Sequence, residues 1–268
     1  MADHTAQRRP PTLVLLRHGE STANAAGVFS GRWDVPLSQR GRQQARHAAR
    51  LVAGAALVPD LIITSPLRRA TQTIELMVEE FARPEMDRIV SPELTERAYG
   101  ALTGLPKTAV GSIFGGEQSH FWRRSMTGRP PRLDDIVALL SDRPAQALAD
   151  LERLRHALPD AAEAAAQTSE SLADVVSRVR TWAATVLTPQ LRSGRSVLVV
   201  AHGNSLRALI TVLDALDASQ TEALNIPTGE PLLYTVDEHG VPAAGSSRYL
   251  DPVSAEAAAR AVSAEGGT

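Results

Sequence analysis

Two histidines stand in the same local context. Leu13-Val14-Leu15-Leu16 runs into Arg17-His18-Gly19-Glu20-Ser21, and Val197-Leu198-Val199-Val200-Ala201 runs into His202-Gly203-Asn204-Ser205. Each is a short apolar run, of the kind buried on both faces of a sheet, followed by His-Gly-x-Ser. If the strands are parallel neighbours, both imidazoles face one crevice at their carboxyl ends, where open α/β sheets bind ligands. The other polar candidates are mostly cationic or neutral: Arg17, Ser21, Asn24, Arg69, Lys107 and, less directly, Arg123 and Arg124. Arginines, imidazoles and backbone amides at a glycine turn suit a phosphate dianion. A neutral ring nitrogen of His18 can attack phosphorus, and a carboxylic acid can protonate the leaving oxygen and then deprotonate the next acceptor. Glu20 and Glu96 are the candidate acids. Glu96, in a loop with Tyr99 and Lys107, is the better one.

Competing chemistries fare worse. There is no G-x-x-x-x-G-K-[ST] loop, since Lys107 follows Pro106, which disfavours a P-loop kinase. There is no H-E-x-x-H, and the two motif histidines lack metal-ligand spacing, so no metal is expected. Gly203-Asn204-Ser205-Leu206-Arg207 resembles a nucleophile elbow without its final glycine, leaving a serine hydrolase as a weak alternative. The chain has no cysteine, which removes disulfides, thiolate metal sites and cysteine nucleophiles. A net charge of −2 over 268 residues gives no support to a nucleic-acid partner. No apolar run approaches the roughly 20 residues of a membrane span. Met1 to Thr12 lacks the apolar core of a secretory signal, so the cytoplasm is the default compartment. Of 28 lysines and arginines only Lys107 is lysine. Either a compact ammonium is needed there or it is a leftover on a solvated face.

These residues need elements to position them. The whole of 1–268 reads as one domain with tails at 1–11 and about 263–268. A strand at 12–16 is followed by an irregular loop over 19–37. Ser38 caps a helix over 39–52 closed by Gly54. Pro59-Asp60 turns into a strand at 61–64, and Ser65-Pro66 starts a helix to about Phe81. That puts Arg68 and Arg69 in a first helical turn, where cations are unfavourable unless an anion faces them. One of the two is expected on the anion and the other at the surface. A short strand begins at Ile89-Val90. Residues 93–107 read as a loop rather than core, and Phe121-Trp122-Arg123-Arg124 as a packed helix edge with solvated charges. Residues 136–166 read as helical, and Ser169-Glu170-Ser171 opens a helix from Leu172 to about Leu187. After the strand at 196–201 the chain is helical from Leu206. Asn225 to Gly229 turns into a strand at 231–236, and 253–262 is helical. His4, His47, His120, His156 and His239 lack the motif context and read as surface or capping residues.

Arg17-His18-Gly19-Glu20-Ser21 resembles the signature of the histidine phosphatase superfamily. Phe29-Ser30-Gly31, Thr64 to Ala70, Leu94 to Lys107, Trp122-Arg123-Arg124-Ser125, Ala201 to Arg207 and Leu224 to Gly229 narrow the likeness. In this order, over roughly 12–250, they resemble the cofactor-dependent phosphoglycerate mutase family. The resemblance implies an α/β three-layer sandwich, its mostly parallel central sheet flanked by helices. It implies that His18 is phosphorylated, that Glu96 moves the proton, and that Arg17, Arg69 and His202 clamp the phosphoryl group. Ser21, Asn24, Ser30, Gly31, Tyr99, Lys107, Arg123, Arg124, Gly203 and Asn204 match positions lining the substrate site. It further implies priming by 2,3-bisphosphoglycerate, no metal, a small phosphoglycerate substrate and a homodimer or homotetramer. A phosphatase of the same fold, acting on a small phosphorylated acid, is the alternative. The chain departs from the family at Ala98, where histidine is usual, in Met126 to Pro131, which lacks the usual proline run, and over 132–168.

Overall fold

The computed structural model describes residues 10–140 and 168–264, with positions 149, 153 and 161 between them. Expectations for 1–9, for most of 141–167 and for 265–268 lie outside the described residues. Six strands, β1 Thr12–Arg17, β2 Leu61–Thr64, β3 Asp87–Val90, β4 Val197–Ala201, β5 Leu232–Thr235 and β6 Arg248–Tyr249, form one sheet in the order β3-β2-β4-β1-β5-β6. Pairings β3/β2, β2/β4 and β4/β1 are parallel, while β1/β5 and β5/β6 are antiparallel. The mostly parallel three-layer α/β architecture is therefore present.

Strand periodicity divides the core. Val14, Leu16, Ile62, Leu198 and Val200 pack under α2 (Gln39–Gly54) and α3 (Arg68–Phe81) through Ala48, Val52, Ile74 and Met77. Leu13, Leu15, Ile63, Val197 and Val199 face the other way. They pack on Val175, Val179 and Trp182 of α7 (Leu172–Trp182) and on Leu206 and Leu209 of α9 (Gly203–Asp214). Alternate residues of a strand point to opposite faces, so each apolar run serves both layers. A third cluster joins Phe29, Tyr99, Ala101, Leu102 and Leu105 to α4 (Lys107–Phe114) and α5 (Gly116–Arg124). The 93–107 segment is thus a loop, as its sequence suggests, but its apolar residues are core. Small and medium apolar residues in short 3-10 turns fill a core without any period to betray it.

Other boundaries shift for local reasons. Ser38 accepts the Gly41 N–H at 3.0 Å and starts α2 as expected, while the helix includes Gly54 and the chain reverses at Ala55 and Ala56. β3 starts two residues before Ile89. The helix after β2 begins at Arg68, not at Ser65-Pro66. The Ser65 hydroxyl is engaged instead with His202 Nε2 at 2.6 Å and with the Leu67 N–H at 3.2 Å. α9 begins at Gly203, three residues before Leu206, since His202 itself is the N-cap. α7 continues through a π turn at Ala183–Leu187 into α8 (Thr188–Arg192). α6 covers Leu133–Leu140, α10 Ala218–Ala223, and α11 Pro252–Ala264. No helix among the described residues is long and apolar enough to cross a membrane.

One glycine pair fixes the turn after β1. A Cβ on Gly19 would meet the Gly41 carbonyl oxygen at 2.2 Å, and one on Gly41 would meet the Glu20 oxygen at 2.0 Å. Neither position has room for a side chain, so the His18 turn is pressed directly onto the first turn of α2.

Candidate active site

β1 and β4 are paired in parallel register, Leu16 opposite Val200 and Arg17 opposite Ala201. Their carboxyl ends therefore present His18 and His202 together, with ring centroids 4.9 Å apart and planes inclined at 61°. His18 Nδ1 lies 2.6 Å from the Gly19 carbonyl oxygen. That oxygen only accepts, so Nδ1 carries the proton and Nε2 keeps its lone pair. Arg69 Nε donates to Nε2 at 3.2 Å. Burial, then the neighbouring Arg69 and Arg17 cations, hold the His18 imidazole well below its ordinary value of 6.5. His202 is held low by the same burial, then by Arg69, His18 and Arg17. Both rings are neutral at physiological pH.

Arg69 is fully buried, whereas Arg68 is exposed and donates its backbone N–H to Asp34. The two arginines of the α3 first turn divide as expected, one inward and one outward. Arg69 donates NH1 to the Trp33 carbonyl and NH2 to the Gly31 carbonyl, both at 2.8 Å, which pins it across the site. Burial pushes its guanidinium down to about 10, against the opposing pull of Glu96. Arg17 is anchored by the Ile226 carbonyl at 2.7 Å.

The adjoining pocket is lined by Arg17, Asn24, Phe29, Ser30, Glu96, Tyr99, Lys107 and Arg123. Glu96 is buried, and its carboxylate accepts the Arg97 N–H at 2.7 Å and the Asn204 N–H at 3.2 Å. The second donor belongs to the amino-terminal end of α9. Glu20 is turned elsewhere: Ser38 Oγ donates to it at 2.6 Å, and Arg40 stands 3.8 Å away. Lys107 is the first residue of α4 and lines the pocket, so it is not a leftover on a solvated face. Arg123 and Arg124 are both buried, not solvated, because α5 packs their flank against the third core cluster and the 222–225 segment.

Some expected site residues stand behind this wall. The Ser21 side chain caps the one-turn helix α1 (Thr22–Ala25) and bonds Asn24 Oδ1 at 2.9 Å. Arg124 is held by Asn225 Oδ1 at 3.2 Å and by the carbonyls of Glu222 and Leu224. Gly31 contributes its carbonyl to Arg69, and Gly203 opens α9. Asn204 joins Glu96 to Tyr99, donating Nδ2 to the phenolic oxygen at 3.1 Å. Ser205 is fully buried and accepts the His202 N–H at 3.1 Å, so it caps a helix and is no elbow nucleophile. His47, His120 and His239 are exposed.

Several functional-looking residues carry no sequence signal. Ser65 reads as a helix cap but contacts His202. Arg97 lies with its guanidinium carbon 4.6 Å from the Tyr99 ring centroid and donates to the Trp122 and Arg123 carbonyls at 2.8 and 3.0 Å. Burial raises the Tyr99 phenol, but Arg97 and the other nearby cations bring it net below its ordinary value. Arg178 donates to the carbonyls of Glu93, Thr95 and Glu96 and to Glu170, which in turn accepts the Ala98 N–H. The Asn-Ile-Pro segment at 225–227 and the RR pair of α5 were marked by resemblance. Ser65 and Arg97 lie inside stretches that carry the resemblance but are given no role by it, and Arg178 lies outside them, because a helix-surface arginine and a capping serine look the same in sequence wherever they point.

The histidine phosphatase superfamily (branch 1) profile matches residues 13–158 and 142–243. A 2,3-bisphosphoglycerate-dependent phosphoglycerate mutase of Thermobifida fusca is 42% identical over 258 residues, 95% of this chain and 99% of that protein. One of Nitratidesulfovibrio vulgaris is 43% identical over 256 residues, 95% of this chain and 98% of that protein. Among solved structures, a mycobacterial glucosyl-3-phosphoglycerate phosphatase complexed with VO3 superposes with a TM-score of 0.62 at 26% identity, covering 89% of this chain and 96% of that one. The sheet order, the paired histidine turns and this full-length likeness converge: the chain belongs to the histidine phosphatase superfamily and, within it, to the 2,3-bisphosphoglycerate-dependent phosphoglycerate mutases.

Proposed function

We propose that this enzyme interconverts 3-phosphoglycerate and 2-phosphoglycerate through a phosphoryl group carried on His18. The observation that carries the reading is the state of that imidazole: neutral, its Nδ1 proton tied to Gly19, its Nε2 lone pair free of any proton and met by Arg69. Such a nitrogen is ready to attack phosphorus without first losing a proton. Arg17, Arg69 and His202 hold the equatorial phosphoryl oxygens as charge shifts during in-line transfer. Glu96, at the edge of the pocket, accepts the proton of the attacking substrate hydroxyl and returns it to the departing oxygen in the reverse transfer. His18 thus passes its phosphoryl group to one hydroxyl of the substrate and recovers one from the other.

The donor set fits a small polyanion. Among the described residues, the cations Arg17, Lys107 and Arg123 line the pocket with Asn24, Ser30, Tyr99 and the carboxylate of Glu96. These residues would hold 2,3-bisphosphoglycerate, which supplies the phosphoryl group that primes His18. Ser21, Gly31, Arg124, Gly203 and Asn204 support this wall from behind. No metal is assigned a part, and the cytoplasm is the compartment this reading gives.

The second reading is a phosphatase, favoured by the fold likeness to the mycobacterial phosphatase. The two differ in whether a substrate hydroxyl or water takes the phosphoryl group. The test supplies 3-phosphoglycerate with a catalytic amount of bisphosphoglycerate and follows isomer and free phosphate in parallel. The expected result is 2-phosphoglycerate with little phosphate. Phosphate release without isomer would replace the mutase with the phosphatase.

A further inference from the structure

Arg207, on the second turn of α9, is fully buried and does not line the pocket. Its NH1 donates to Asn204 Oδ1 at 3.2 Å, and Asn204 Nδ2 donates to the Tyr99 hydroxyl at 3.1 Å. A guanidinium has only donors, so the amide oxygen of Asn204 must face it. The amide nitrogen then has to face Tyr99, and the phenolic oxygen has to accept. The one proton of the Tyr99 hydroxyl is left for the pocket, which that side chain lines beside Lys107 and Arg123.

We propose that Arg207 is a positioning residue that sets the direction of the Arg207–Asn204–Tyr99 hydrogen-bond chain, so that the Tyr99 hydroxyl donates to the anionic group of the bound substrate. The inference rests on the phosphoglycerate reading of the pocket and adds the polarity of one wall to it. Without a donor-only residue at 207, the Asn204 amide can turn over. Its oxygen would then take the Tyr99 proton and present a phenolic lone pair to a substrate anion. Burial beside Arg124 lowers Arg207 to about 9, which still leaves it a cation and a pure donor at neutral pH.

The test compares Arg207→Gln, which can donate or accept, with Arg207→Lys, which only donates, each with and without Tyr99→Phe. Losing one hydrogen bond to a charged group raises KM about tenfold, the equivalent of about 1.4 kcal/mol. Tyr99→Phe and Arg207→Gln are each expected to produce that rise with kcat within about twofold, since the lost contact is a uniform binding one. Arg207→Lys is expected to recover most of it. In the Tyr99→Phe background the Gln and Lys variants should have equal KM. Equal KM for the two with Tyr99 present, or a gap that survives Tyr99→Phe, overturns the proposal. Should the Arg207 variants not fold, Asn204→Asp leaves Arg207 in place and offers acceptors at both ends, drawing in the Tyr99 proton. Its KM penalty should then be larger with Tyr99 than with Tyr99→Phe, and equal penalties overturn the proposal. KM is read on whichever phosphorylated acid is turned over. Coupling without isomer formation therefore refutes only the mutase reading, and isomer formation without coupling refutes only the role of Arg207.

Discussion

The two motif imidazoles are buried neutral beside cations, and this ties their chemistry to stability. Burial and the Arg69 and Arg17 charges depress both below 6.5. In the unfolded chain they take up protons near 6.5, and in the folded chain they do not. Unfolding therefore binds protons, so their contribution is complete above about pH 6.5 and is lost as pH falls below it toward the folded values. Each imidazole contributes a slope of up to about 1.4 kcal/mol per pH unit in that window. The wild-type Tm is expected to fall between pH 7.5 and 5.5, and a His18→Gln, His202→Gln double variant to show a shallower fall. An equal slope in the variant, measured by thermal denaturation, would remove these histidines as the cause. At this scale much was legible. His18 and His202 announce themselves by a repeated motif, and Arg69 by being a cation at a helix start. Ser65, Arg97 and Arg207 do not, since their roles depend on which neighbour the fold brings up. Ser21 was legible by resemblance as a substrate ligand, yet its side chain is spent on capping α1.

The segment from Pro92 to Pro106 shows how an element without regular structure can still be rigid. It carries Glu96 between two short 3-10 turns, and its apolar residues are core. Its polar backbone is held by α7 and the residue before its cap: Arg178 reaches the carbonyls of Glu93, Thr95 and Glu96, and Glu170 accepts the Ala98 N–H at 2.9 Å. Glu170 also draws in Arg32 at 3.2 Å, so one carboxylate ties three segments together. Arg178→Met keeps the apolar stem and removes these bonds. Because the Glu96 carboxylate would lose its fixed position, kcat is expected to fall about tenfold or more, since displacements near 1 Å can cost up to 100-fold. KM should change less, because Lys107 and Arg123 stand on α4 and α5. A kcat unchanged by Arg178→Met in the isomerase assay would show that the loop holds itself. Hydrophobic spacing gave α2, α3, α7 and five of the six strands within a few residues, and missed the two-residue β6. It failed for this loop and for the burial of Arg123 and Arg124, where backbone carbonyls from distant segments, invisible to any local pattern, supply the partners.

At the scale of the whole molecule, the sheet order explains why the two histidine turns meet. β1 and β4 are neighbours, yet the chain leaves β1 toward α2 on one face and leaves β4 into α9 on the other. Two departures in opposite directions open a crevice between adjacent carboxyl ends. The sequence repeat left adjacency of the two strands as a condition, which the β1/β4 pairing meets, and the faces taken by the helices depend on long-range packing. The same meeting concentrates charge. The chain as a whole carries −2, while Arg17, Arg69, Lys107 and Arg123 crowd one end of it, with Arg97, Arg124 and Arg207 buried behind. Like charges gathered at one end repel one another, and an anion bound among them offsets part of that repulsion in the folded state alone. Inorganic phosphate at 100 times its Kd stabilises by about 2.7 kcal/mol, as any ligand of the folded state alone would. For a chain of this length that is a rise in Tm of roughly 5–10 °C. Sodium chloride at the same ionic strength screens exposed pairs but does not fill the site, so it should give only a small part of that rise. Arg123→Met should flatten the phosphate response, whereas Arg132→Met, at an exposed arginine paired with Asp135, should preserve it. Equal Tm in phosphate and chloride, or a full response in Arg123→Met, would mean that the cationic wall is screened by the protein itself and does not await an anion.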